Sequence, residues 1–487
     1  MLFNSIDFAM FLPIVFVLYW FVANKNLKLQ NLLIVAASYF FYGWWDWRFL
    51  SLILFSTVVD YTVGLALKTE NNLTKRKVLL WLSVGVNLGF LGFFKYYNFF
   101  LDNFITAFSF FGTDISIHSL KIVLPVGISF YTFQTLSYTL DVYNRKLEPT
   151  NDFIGFAAFV SFFPQLVAGP IERATRLLPQ FYKKRTFDYH QAVDGMRQIL
   201  WGLFKKIVIA DNCAEYANLI FNNSADYPGS TLILGAIFFT FQIYGDFSGY
   251  SDIAIGTSRL FGFNLMQNFN FPYFSRDIAE FWRRWHISLS TWFRDYLYIP
   301  LGGSRGSTAL KIRNIFAIFI ISGFWHGANW TFIIWGALNA VYFLPLMLTG
   351  KNRTNTEIVA QGKVLPSVKE FLKIVGTFGL TVFAWIFFRA ESLNNAVVYI
   401  SEIFSTSVFR IPYIIEEGSG IQSLPFNIIS IMFIFVLVEW FGREGKFAIE
   451  RFGLKWRRPT RYAFYCIIVF AIFWFGGKEQ EFIYFQF

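Results

Sequence analysis

The sequence predicts an all-α integral membrane protein. Three observations carry that prediction: long, nearly charge-free apolar runs follow one another, basic residues are confined to the short loops between them, and aromatic side chains gather at the run ends. Of the 487 residues, 55% are hydrophobic and the mean hydropathy is +0.46, whereas soluble proteins are about 45 to 50% apolar even with glycine counted. The excess belongs in lipid. Charged residues make up only 15% of the chain, and stretches such as Phe8 to Ala23, Phe49 to Leu67 and Phe426 to Phe441 approach the length of about 20 residues that crosses roughly 30 Å of hydrocarbon. Aromatic residues reach 22%, and clusters such as Tyr42, Trp44, Trp45 and Trp47 suit the headgroup boundary, where an amphipathic ring is half wet. A soluble protein with an aromatic core is the alternative, and the succession of uncharged runs argues against it.

In chain order, spans are expected near residues 6–23, 30–45, 49–67, 78–94, 121–140, 153–169, 231–245, 312–326, 329–348, 371–389, 426–441 and 462–476. Some are interrupted, by Pro125 and Gly127 or by Pro164, Gly169 and Pro170. A broken helix at membrane depth is tolerated only where protein or a water-filled cavity satisfies the freed backbone. No repeat of fixed period and no long flexible linker is visible. The most polar stretch is Lys351 to Lys363, so a single domain over residues 1–487 is expected. The polar loops around Asn222 to Ser230 and Glu416 to Ser423 are too short for a separate soluble catalytic module, which places any chemistry in or at the membrane.

The net charge of +11 raises the question of nucleic acid, but the basic residues form no single face. They sit beside apolar spans: Lys25 and Lys28; Lys68, Lys75, Arg76 and Lys77; Lys183, Lys184 and Arg185; and a late group from Arg443 to Arg461. Cytoplasmic anchoring by the positive-inside rule explains them. Two spans separate the first group from the second, so the N-terminus is expected outside. The first apolar stretch reads as a span, because no basic residue precedes it and Phe21-Val22-Ala23 is a poor small-residue cleavage site. Cys213 and Cys466 suggest neither a disulfide framework nor a metal site.

The four histidines, His118, His190, His286 and His326, show no metal-ligand spacing, since no two lie four apart. His118 and His190 lie in polar surroundings and read as solvated. His326 differs. It ends ISGFWH, and the twelve residues from Asn314 to Trp325 give about 18 Å of helix at 1.5 Å per residue, placing the imidazole inside the hydrocarbon if Arg313 marks the boundary. Gly323, Gly327 and Ala328 allow close backbone approach or a break and leave room beside the ring. An ionisable group at that depth is a functional candidate by default; the alternative is a hydrogen bond to a neighbouring helix. An imidazole with its ordinary pKa near 6.5 takes a proton from a hydroxyl at neutral pH.

His286 lies in AEFWRRWHISLSTWFRDYLYIPLGGSR. On a continuous helix Phe281, Trp285, Leu289, Trp292 and Tyr296 form an apolar stripe and Arg284, Ser288, Thr291 and Asp295 a polar edge, the pattern of a helix lying in the interface. His286 projects from the flank beside Arg283 and Arg294. These arginines suit either the phosphates of an acyl carrier such as coenzyme A or lipid headgroups. Asp246, Ser248, Ser251 and Asp252 in IYGDFSGYSDIAIG line the same cavity or pack helices together.

At these residues the sequence resembles the membrane-bound O-acyltransferase family, and within it the branch of alginate O-acetylation proteins. NFNFPYFSRDIAEFWRRWHISLSTWFRDYLYIPLGGSR followed by SGFWHGANWTFIIWG is similar to that branch's signature, as is VAGPIERATRLLPQF from Val167 to Phe181. The resemblance implies that His326 is the main catalytic histidine and that His286 holds the second, more variable histidine position. Trp325, Asn329, Arg283, Arg284, Ser290 and Asp295 are candidates for the substrate channel. It further implies a ring of about 11 to 12 spanning helices, with re-entrant or interfacial helices around a central catalytic funnel. The expected cofactor reading is no bound group, with acetyl-CoA as donor; the expected partners are the lipid bilayer, a polysaccharide and a periplasmic or extracellular acetyl-acceptor protein. The expected location is the bacterial cytoplasmic (inner) membrane. Close to this reading stands D-alanyl transfer to teichoic acid, which the RWHISLSTWFRDY core also resembles. From other classes stand a transporter, for which neither internal symmetry nor a chain of buried carboxylates is legible, and a passive scaffold of an export complex.

Overall fold

The computed structural model describes residues 1–110, 119–415, 422–477 and 480–483. It is helical, with one two-stranded hairpin in which Ile414–Ile415 pairs with Gln422–Ser423. Among the described residues six helical runs are long and apolar enough to cross a membrane: Leu27–Thr69, Leu73–Phe110, Gly229–Leu260, Thr308–His326, Trp330–Leu348 and Val368–Arg389. Ile6–Val22 and Phe426–Gly442 are apolar but shorter. Side chains such as Phe21, Trp47, Phe371 and Phe473 are more than half exposed, an apolar surface that belongs against lipid. The contacts group into two compact units, Met1–Gly195 with Ala254–Met266, and Met196–Ile253 with Gln267–Phe487.

The first unit contains α1 (Ile6–Val17), α2 (Leu27–Asp46), α3 (Leu50–Thr69), α4 (Leu73–Leu91), α5 (Tyr97–Phe110), α6 (Ile128–Tyr143) and the short α7 (Phe153–Ser161), α8 (Phe163–Leu166) and α9 (Ala174–Leu177). Side chains that accept from the first free N–H groups start several of them, Asn26 on α2, Asn72 on α4 and Asp152 on α7. Two expected spans are corrected here. Residues 121–127 are not helical and α6 begins only after Gly127, whose φ of 74° suits a glycine. Residues 153–169 form helices of nine and four residues, and nine residues rise only about 14 Å. The interruptions pack on each other: a Cβ at Gly127 would lie 2.8 Å from the Leu166 carbonyl oxygen. Gln134 donates to the carbonyl of Phe159 at 2.6 Å, so protein satisfies backbone that lipid cannot. Asp60 of α3 is fully buried and accepts from Ser83 and Asn87 of α4 and Thr139 of α6, which ties three helices through one carboxylate.

The boundary between units falls within α10 (Tyr189–Leu203) and α12 (Gly229–Leu260), with α11 (Asp211–Asn222) between them in sequence. The second unit continues with α13 (Ile278–Arg284), α14 (Ile287–Phe293), α15 (Thr308–His326), α16 (Trp330–Leu348), α17 (Val368–Arg389), α18 (Leu393–Ile403), α19 (Phe426–Gly442) and α20 (Arg458–Trp474). α15 and α16 form a close hairpin. Gly323 faces the Phe332 carbonyl and Gly336 the Phe319 carbonyl so tightly that a Cβ at either position would overlap the oxygen, the small-residue contact that lets helices approach in lipid. Behind the hairpin Trp285, Trp335 and Trp385 are almost wholly buried; Trp385 lies 5.1 Å from Trp285 and 5.5 Å from Trp335 between ring centroids.

The expected continuous interfacial helix around His286 is also corrected. The chain breaks at Trp285 and His286, α14 starts afresh, and the stripe residues Phe281, Trp285, Leu289 and Trp292 are buried in protein instead of lying in the headgroup region. The amphipathic pattern was real, but its apolar face meets Tyr273, Phe269 and Trp385.

Candidate active site

His326 is the last residue of α15, and Gly327 then extends with φ −161° into the turn before α16. Asn329 caps α16 by accepting from Thr331 N–H at 3.0 Å and donates to the Glu391 carbonyl at 2.9 Å, so its side chain shapes the turn that carries the histidine. His286 is the residue before α14, in the left-handed conformation with φ 42° and ψ 55°. The two imidazoles come together with ring centroids 6.3 Å apart. Trp325 stands beside both, 6.1 Å from His286 and 4.9 Å from His326. His326 also meets Trp335 and Phe388, each at 5.3 Å, and Phe247 meets His286 edge-on at 4.6 Å. Both histidines are buried, His286 at 1% and His326 at 4% exposure. Burial pushes the His286 imidazole, which lies outside the spanning helices, down to about 3, so the ring stays neutral and one nitrogen keeps its lone pair.

A cavity of about 620 Å³ runs along α15. Ile315, Ile318, Phe319 and Ser322 line it along one face of α15, and Arg283, Arg294, Lys311 and Arg353 supply four cations. Ser322 stands four positions before His326 on the same helix, about 6 Å along its axis. Trp282 lines the cavity and meets Trp335 edge-on at 5.8 Å, and Trp335 in turn touches His326. Two indoles in contact thus link the lining of the chamber to the imidazole. The volume suits a small organic ligand, and guanidinium groups match phosphate oxygens.

The remaining sequence candidates divide. Ser290 lines the cavity. Arg283 lines it too, while donating to the Asn352 and Asn355 carbonyls at 2.7 and 2.8 Å. Arg284 is instead buried in an ion pair with Glu280 at 2.9 Å and donates to the Asn270 and Glu357 carbonyls. Asp295 pairs with Arg294 at 2.7 Å. The stretch Lys351 to Lys363 is pinned by these arginines and by Arg276 on the Glu357 carbonyl. His190 is exposed, as expected of a solvated residue; His118 and most of the loop from Glu416 lie outside the described residues. Among the described residues no three His, Cys, Asp or Glu side chains cluster to hold a metal ion.

Sequence reasoning missed a buried ionic layer in the same unit, in which carboxylates are paired with lysines. Lys205 pairs with Asp252 at 2.6 Å and bonds Ser248 at 2.9 Å; Lys206 pairs with Asp211 and Asp246 at 2.8 and 2.9 Å. Glu439 accepts from Tyr244 at 2.6 Å and Trp201 at 3.1 Å. Asp246, Ser248 and Asp252 thus belong to packing and not to the cavity. Two lysines inside the apolar run WGLFKKIVIA were the available signal.

Membrane-spanning helices, two buried histidines close together and a cation-lined chamber along the helix that carries one of them define a multi-pass membrane enzyme of the acyl-transfer kind. The family model for membrane-bound O-acyltransferases matches residues 150–387. A probable alginate O-acetylase of Pseudomonas aeruginosa is 42% identical over 84% of this chain and 76% of its own, and a peptidoglycan O-acetyltransferase of Helicobacter pylori is 34% identical over 100% of this chain and 98% of its own. A teichoic acid D-alanyltransferase of Bacillus subtilis is 30% identical over 55% of this chain and 70% of its own. The chain belongs to the membrane-bound O-acyltransferase family, and it is an O-acyltransferase.

Proposed function

We propose that the chain moves an acetyl group from a cytoplasmic coenzyme A thioester to the hydroxyl of an extracytoplasmic polysaccharide such as alginate, with His326 as the principal base and His286 beside it. The observation that carries this reading is the chamber along α15, which combines the apolar strip of Ile315, Ile318 and Phe319 with the cations Arg283, Arg294, Lys311 and Arg353. Lys311, Arg313, Lys351 and Arg353 cluster in sequence around the α15–α16 hairpin, which by the positive-inside rule puts the chamber mouth on the cytoplasmic side. The phosphates of the donor meet Arg294, Lys311 and Arg353, its thin arm follows Ile315 to Ser322, and its thioester reaches the imidazole past Trp282 and Trp335. His326 takes the proton of the acceptor hydroxyl as the oxygen bonds to the thioester carbon. The carbon–sulfur bond then breaks, and the proton passes to the thiolate, leaving an ester and free thiol.

Acetylation is favoured over D-alanylation because two acetylating relatives match most of this chain, whereas the D-alanyl relative covers about half of it. The acceptor hydroxyl belongs either to the polymer or to a serine of a periplasmic partner acetylase that passes the group on. The protein sits in the bacterial cytoplasmic membrane with its N-terminus outside, and reporter fusions to the termini test that orientation. Replacing His326 by alanine abolishes ester-linked acetate on the polymer while membrane insertion persists; retained acetate overturns the assignment. D-alanine in the released ester, or substrate flux through the purified protein in liposomes without acyl transfer, would favour the alternatives.

A further inference from the structure

The segment carrying His286 has the pattern of one continuous helix, yet it breaks immediately before that histidine, and three of the bonds forfeited at the break are replaced from one place, the stretch Asn268 to Asn270. In an unbroken helix the N–H groups of Ile287 and Ser288 would bond to carbonyls four residues earlier. Here Ile287 N–H donates to the main-chain carbonyl of Asn268 at 2.9 Å. Ser288 N–H and Ser288 Oγ–H both donate to the Asn268 side-chain Oδ1, at 3.2 and 2.8 Å. On the other side of the break, Asn270 N–H donates to the Arg284 carbonyl at 2.9 Å. The Asn268 amide is itself held, donating through Nδ2 to Ser251 Oγ on α12 at 3.1 Å. Asn268 and Ser288 are wholly buried, so water does not substitute for any of these bonds.

A non-glycine residue with φ 42° persists only where its surroundings over-determine it. We propose that Asn268 is the positioning residue for His286: it holds the break open and so aims the second imidazole at His326, 6.3 Å away. The inference rests on the reading that His286 serves the transfer. The same amide anchors the break to α12, whose Phe247 packs edge-on to His286, so one side chain fixes both the backbone of the histidine and the wall it leans on.

The test measures acetyl transfer from radiolabelled acetyl-CoA to envelope polymer in inside-out membrane vesicles, at varied acetyl-CoA, for Asn268→Leu, His286→Ala and their combination. Asn268→Leu is expected to lower kcat by about tenfold or more, since a misplacement on the order of 1 Å costs about that much or more, with KM for acetyl-CoA little changed. In the His286→Ala background the same change is expected to add nothing. An equal further loss there means a purely structural role and overturns the proposal, as does a raised KM with kcat intact. If His286→Ala alone transfers at the parental rate, the histidine reading fails and the proposal with it; if His286→Ala is slow and Asn268→Leu is parental, only the proposal fails. Should Asn268→Leu not accumulate as folded protein, Ser288→Ala and Ser251→Ala remove one bond each. A several-fold loss of kcat in both is expected, and parental rates in both overturn it.

Discussion

Replacing Gly323 by alanine tests whether the hairpin of α15 and α16 sets the position of the His326 imidazole, the base proposed for the transfer. The new Cβ would fall well inside the 3.0 Å that Cβ atoms respect from other heavy atoms, with the Phe332 carbonyl oxygen as the obstacle and the Gly336 Cα 3.4 Å away. Because the obstacle is backbone and not a flexible side chain, the helices must separate by about 1 Å. Overpacking of this kind costs about 1–3 kcal/mol, an amount a bundle of this size tolerates without unfolding. His326 lies three residues further along the same helix, so the shift is delivered almost undiminished to the ring. A displacement on the order of 1 Å lowers turnover by as much as about 10²-fold. The assay is ester-linked acetate per unit of membrane-inserted protein, with thermal unfolding in detergent measured alongside. A Gly323→Ala protein that unfolds at a slightly lower temperature and transfers acetyl at the parental rate would refute the reasoning.

Three further outcomes follow from the same structure. Arg353→Ala combined with Lys311→Ala should raise KM for acetyl-CoA about tenfold or more and weaken its salt dependence, read from initial rates at two ionic strengths, because cation contacts to phosphate are screened by salt. Trp282→Ala, which removes the indole between the chamber and Trp335, should let propionyl-CoA and butyryl-CoA serve as donors; competition between acyl chain lengths measures it, and unchanged selectivity argues against a route past this ring. Burial raises the Glu172 carboxyl to about 7 against an ordinary 4.5, partly opposed by Arg176. The folded state therefore keeps a proton that the unfolded chain has lost between those values, so the associated stability is present in full below about 4.5 and lost as pH rises through about 7, on the order of 3 kcal/mol by pH 8. Glu172→Gln should show a Tm gain that grows from pH 5 to pH 8, and a gap independent of pH would count against it.

Hydropathy made the long helices legible because a run such as Val368–Arg389 needs no tertiary partner to declare itself. It overextended at 121–140 and 153–169 because those residues are apolar for another reason: fourteen of the sixteen residues of α6 are buried in protein. His326 was legible through its depth among apolar residues. The geometry at His286 was not, since helical periodicity continues through Trp285 and the bonds that interrupt it come from Asn268, eighteen residues earlier. Long-range pairing of that kind leaves no local trace. The cations of the chamber were half visible: Arg283 and Arg294 share a motif, whereas Lys311 and Arg353 join them only through the hairpin.

The ionic layer of Lys205, Lys206, Asp211, Asp246 and Asp252 constrains how this protein is born. An unpaired lysine or aspartate in hydrocarbon costs about 2.5 to 3.5 kcal/mol, so the two ammonium groups are tolerated in this apolar interior only together with their carboxylates. One counter-charge, Asp211, follows Lys206 almost at once on α11, whereas Asp246 and Asp252 arrive some forty residues later in synthesis, on α12. Lys205, paired with Asp252, is therefore neutralised only once α12 has been made, which ties its burial to the completion of both segments.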